Sequence, residues 1–67
     1  MKLKSKDKHT FLKGAEELNE LAVELLQAVN KQKKIEWGKI VGEIADVEKW
    51  LDKIKLLIAD NIRESKI

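Results

Sequence analysis

The sequence predicts an all-α protein: an antiparallel hairpin of two helices that dimerises into a four-helix bundle. Three observations carry this. Apolar residues recur at spacings of three and four in two long stretches, no proline interrupts either stretch, and both apolar faces are wider than one partner helix covers. The chain has 67 residues, 43% of them hydrophobic and 39% charged, which suits a folded helical domain rather than a disordered segment. A domain this short buries only about 60% of the surface of its unfolded form, so it needs a staple, a metal or a partner chain. With no cysteine, disulfides and thiolate metal sites are excluded. Self-association and an oxygen-ligated metal remain.

Residues 1–9 hold Lys2, Lys4, Lys6 and Lys8 and little that packs, so they are expected to form a loose basic arm. The single helical domain then runs over 10–67, with Thr10 as the N-cap of the first helix. Phe11, Ala15, Leu18, Ala22, Leu25 and Val29 form its apolar stripe. The polar stretch Asn30-Lys31-Gln32-Lys33-Lys34 ends that periodicity and places cations near the helix C-terminus. A second series, Ile40, Ile44, Val47, Leu51, Ile54, Ile58 and Ile62, defines the second helix. Leu12, Val23, Leu26, Leu21 and Ala28 widen the first stripe to an arc of roughly 220°, against ~100° for an ordinary surface helix. Val41, Ala45, Trp50 and Leu57 widen the second likewise. A lone hairpin leaves much of this surface wet, and a homodimer or a dimer of dimers covers it.

No run of 18 apolar residues and no signal-peptide pattern occurs, so the expectation is a soluble, cytoplasmic chain with no membrane partner. A net charge of +2 does not point to nucleic acid.

The acids break the pattern. Glu43 follows Ile40 by three residues and precedes Val47 by four, which sets its carboxylate inside the apolar stripe. An unpaired carboxylate there costs several kcal/mol or takes up a proton. Asp46 lies one turn along. Glu17 and Glu20 make a matching pair at the border of the first stripe, and Glu24 continues their line. Four carboxylates within ~5 Å repel by ~3 kcal/mol per pair at an effective dielectric of 20. Cations between them relieve this, and oxygen-only ligands favour a hard ion, Mg²⁺ or Mn²⁺. Folding about Lys33 leaves the two pairs offset by about one turn, which an asymmetric loop can close. The competing reading treats Glu16, Glu17 and Glu20 as a solvated face, with Lys13 as the partner of Glu17.

Glu16-Glu17-x-x-Glu20, 22 intervening residues and Glu43-x-x-Asp46 resemble the EExxE…ExxD signature of the MazG-type all-α nucleotide pyrophosphohydrolases. The likeness extends through Ala15–Leu21 and Gly42–Val47. It implies a hydrolase that splits a nucleoside triphosphate between its α and β phosphates, releasing the monophosphate and pyrophosphate. Position by position, it makes Glu17, Glu20, Glu43 and Asp46 the metal ligands and Glu16 a water-orienting carboxylate. It also implies dimers or tetramers of helical bundles. Members of that family commonly continue past the second motif with helix that contacts substrate. Here the chain stops at Ile67, leaving Lys49 and Lys53 as candidates for the phosphates and Trp50 for the base. Gly38 and Gly42 either leave room for substrate or allow close helix packing, and His9 has no second ligand near it in sequence. The alternative function is a non-catalytic helical oligomerisation or protein-interaction module.

Overall fold

The computed structural model describes residues 3–65. Helix α1 spans Ser5–Asn30, a short 3₁₀ turn spans Gln32–Lys34, and helix α2 spans Trp37–Ser65. The described residues form an all-α antiparallel hairpin.

Helix α1 begins earlier than its capping signals imply. Lys4 has extended backbone and its carbonyl accepts the first helical bonds, from the N–H groups of Asp7 and Lys8, both at 3.0 Å. Thr10 is therefore not the N-cap. It lies inside the helix and its Oγ1 donates back to the Lys6 carbonyl at 2.9 Å. The residues ahead of it extend the helix because lysine is a good helix former and Asp7 sits where the helix dipole favours an anion. Ser5–His9 thus belong to α1, while Met1 and Lys2 lie outside the described residues. At the far end the Lys31 N–H donates to the Gln27 carbonyl at 2.7 Å, and the Lys34 N–H to Lys31 at 2.9 Å. Glu36 then offers its carbonyl to Lys39 and Ile40, starting α2.

The helices meet along a seam of alternating three- and four-residue spacing. On α1 it runs Asp7, Thr10, Gly14, Glu17, Leu21, Glu24, Ala28, and on α2 Ile40, Glu43, Val47, Trp50, Ile54, Leu57, Asn61, all buried or half-buried. This is the geometry of an antiparallel coiled coil, with polar residues at several seam positions. The expected α1 stripe, from Phe11 through Leu18 to Val29, is turned about 90° from that seam. Leu18, Leu25 and Val29 are exposed. Three of the seven residues of the α2 series face the seam: Ile40 and Val47 are buried and Ile54 half-buried, whereas Ile44, Leu51, Ile58 and Ile62 are exposed. At Gly14 the Ile54 side chain packs directly onto the backbone of α1, since a Cβ there would sit 2.6 Å from Ile54 Cδ1. No such approach exists at Gly38 or Gly42, where a Cβ would meet nothing within 4 Å. Close packing is not their reason.

The hairpin is a rod of 55 × 16 × 15 Å. Among the described residues the buried apolar side chains are Ile40 and Val47, and no large side chain is completely enclosed.

Candidate metal centre

Four carboxylates from the two motifs converge midway along the rod. Glu17 and Glu43 occupy facing seam positions, while Glu20 and Asp46 stand one turn on, at the rim of the same groove. The turn closes nearer to Lys31 than to Lys33, which removes the expected one-turn offset and brings the motifs level. One carboxylate oxygen from each of Glu17, Glu43 and Asp46 falls within 4.8 Å of the other two. Glu20 is not part of that close group of three, although its charge acts on both Glu17 and Glu43.

Burial makes this proximity costly. Oε2 of Glu17 and Oε2 of Glu43 are both shut off from solvent and neither has a hydrogen-bond donor. Desolvation, followed by the neighbouring negative charge of Glu20, pushes both carboxyl groups above their ordinary value of 4.5. Asp46 adds to the rise in each case. Two acceptor-only atoms aimed at one spot call for a donor or a cation between them.

The donor set fits a hard divalent ion. Every ligand atom is oxygen, and the nearest described histidine, His9, lies edge-on to Trp50 instead, with ring centroids 6.3 Å apart.

Lysines flank the cluster at both ends. Lys39 Nζ reaches Oε2 of Glu24 at 3.1 Å, and Glu24 is buried in the seam one turn from Glu20. Glu24, first by hydrogen bond and then by charge, raises the Lys39 pKa. Asn19, Glu20, Val23, Glu24, Lys39 and Glu43 line a shallow groove on this flank. Toward the other end, Lys53 Nζ sits 4.4 Å and Lys49 Nζ 5.8 Å from the Trp50 ring, within cation–π range. Trp50 is half-buried, with part of its ring in the seam.

Glu16 stands apart. It is paired with Lys13 at 3.4 Å on the exposed side of α1, with 61% of its side chain in solvent. Lys13 thus pairs with Glu16 rather than Glu17, which leaves Glu17 to the seam. Sequence reasoning missed the Glu24–Lys39 pair and the His9–Trp50 contact. Each joins residues on different helices, and only the register of the hairpin reveals them.

In comparisons with known proteins the chain has no significant match to a family model, a curated protein or a solved structure.

Proposed function

We propose that this chain is a metal-dependent nucleoside triphosphate pyrophosphohydrolase that works as a homodimer or a dimer of dimers in the cytoplasm. The observation that supports this best is the pair of buried, donorless oxygens on Glu17 and Glu43, held beside Asp46 and Glu20. Glu17, Glu20, Glu43 and Asp46 would hold Mg²⁺ or Mn²⁺, which when bound neutralises the polyphosphate and lowers the pKa of an attacking water.

The chain's own residues would do the rest. Asp46, exposed like Glu20, would accept the proton of the water that adds to phosphorus. The P–O bond of the α–β anhydride breaks, and nucleoside monophosphate and pyrophosphate leave. Lys53 and Lys49 bring positive charge to the end of the groove where a triphosphate needs it, and Trp50 offers a ring edge to the base. Glu16, engaged by Lys13, would orient water only after leaving that pair.

The test is release of pyrophosphate from a panel of nucleoside and deoxynucleoside triphosphates with Mg²⁺. Wild type is expected to turn over and Glu43→Gln to be inactive while remaining helical by circular dichroism. Equal pyrophosphate release from the two proteins would sink the catalytic reading. The exposed apolar side chains favour a second reading, a non-catalytic interaction module. That reading expects no change in melting temperature on adding Mg²⁺ or Mn²⁺. A bound metal instead raises stability by about 2.7 kcal/mol at 100 times its dissociation constant.

A further inference from the structure

We infer that Lys39 is a built-in counter-ion of the carboxylate groove. Its ammonium fills a second cation position, one turn from the Glu17–Glu43–Asp46 cluster, so each chain takes one divalent ion where its acids could hold two. This rests on the metal-binding part of the reading above and not on pyrophosphate release.

The acids do not end at the cluster. Glu17, Glu20 and Glu24 follow one another along α1 at three and four residues, and Glu43 faces them from α2. Oxygens of Glu17, Glu43 and Asp46 gather within 4.8 Å and form the first cation position. Toward the turn, Glu20, Glu24, Glu43 and Lys39 line the next stretch of the groove. Glu24 is four residues beyond Glu20 and Lys39 four before Glu43, a step of ~6 Å along the rod. Lys39 Nζ stands there, 3.1 Å from Oε2 of Glu24.

This is not an ordinary surface pair, in which two solvated side chains gain little from meeting. The Glu24 side chain is only 11% exposed and sits in the seam, and the cation reaches it from the other helix. Among the described residues no other cation pairs with any of the five groove carboxylates, since Lys13 goes to Glu16 outside the groove. Desolvation leads the upward shift at Glu43, and Glu24 contributes to it along with Glu20 and Asp46, so Glu43 feels both positions. Lys39 in turn feels Glu24 first, then Glu36 and Glu43. Three carboxylates, Glu20, Glu24 and Glu43, offer the all-oxygen donor set of a hard ion. Paired divalent ions in such sites lie roughly 3.5–4 Å apart. A tethered ammonium supplies one positive charge at the second position and repels a further divalent ion from it.

The experiment counts Mn²⁺ bound per full-length chain by equilibrium dialysis, with electron paramagnetic resonance of the bound ion and circular dichroism as the check on folding. Wild type is expected to bind one ion, with the signal of an isolated Mn²⁺. Lys39→Met is expected to bind two, as a magnetically coupled pair, because Glu20 and Glu24 are freed for the metal. Lys39→Gln keeps a donor for Glu24, which preserves the test if the Met variant unfolds, and is also expected to bind two. Lys39→Arg retains the cation and is expected to stay at one. Combining Lys39→Met with Glu24→Gln is expected to return the count to one. Two ions in wild type, or one in both neutral variants, would overturn the role given to Lys39. So would a second ion that is uncoupled from the first or that survives Glu24→Gln, since it would sit elsewhere on the surface. A wild type that binds no Mn²⁺ defeats the metal reading itself, so the two failures are told apart.

Discussion

At the scale of single residues, the carboxylates of Glu17 and Glu43 set the chemistry. Both are raised above 4.5, chiefly by desolvation, so the folded chain holds their protons more tightly than the unfolded chain does. The stability they lend is fully present below about 4.5 and is lost as pH rises through the raised values. Melting of the metal-free protein is therefore expected to shift to higher temperature as pH falls from about 7 to about 5. Glu43→Gln is expected to flatten that slope, to raise the metal-free melting temperature at neutral pH, and to abolish the response to Mg²⁺. A steep slope retained in Glu43→Gln would place the titration elsewhere. Since the metal competes with protons, Mg²⁺ binding should also release protons, measurable in weakly buffered solution.

Glu24 carries a different lesson. It occupies a seam position and is 9% exposed, yet Lys39 satisfies it, so it need not take part in the cluster. Lys39→Met leaves that carboxylate buried without its partner and is expected to lower the melting temperature. Adding Glu24→Gln in the same chain is expected to recover much of the loss, which a thermal double-mutant cycle reads directly.

The two helices show where sequence reading succeeds and where it does not. Helical periodicity located both α1 and α2, and the polar run after Val29 located the turn. Periodicity alone could not choose between stripes. α1 carries two overlapping seven-residue patterns, and the more hydrophobic one, through Leu18 and Leu25, is the one left exposed. The seam instead takes Gly14, which permits close approach, and Glu17 and Glu24, whose burial is explained only by cross-helix partners. Carboxylates inside an apolar stripe were the legible part of the site. Their mutual distance depended on where the turn closes, a tertiary property. Gly42 lies within α2 with open space beside it. Gly42→Ala is therefore expected to stabilise the fold by roughly 0.5–1 kcal/mol in urea denaturation, through helix propensity and a less flexible unfolded chain.

For the whole molecule, shape is the dominant fact. A radius of gyration of 15.6 Å far exceeds the ~11 Å of a compact 67-residue domain. On the proposed self-association, the melting temperature of a rod with so little enclosed hydrocarbon is expected to rise with protein concentration. No described helix is long and apolar enough to cross a membrane, so its exposed leucines and isoleucines do not mark a transmembrane span.

The placement of the two tryptophans gives the rod a built-in optical readout. Trp37 is 67% exposed in the isolated hairpin, whereas Trp50 is half-buried in the seam with Lys53 over its ring. Burial of Trp37 would blue-shift its emission, while a nucleotide drawn to Lys53 would quench Trp50. With one indole left by a Trp→Phe change, a fluorimeter could follow assembly and ligand capture as separate signals, with no dye attached.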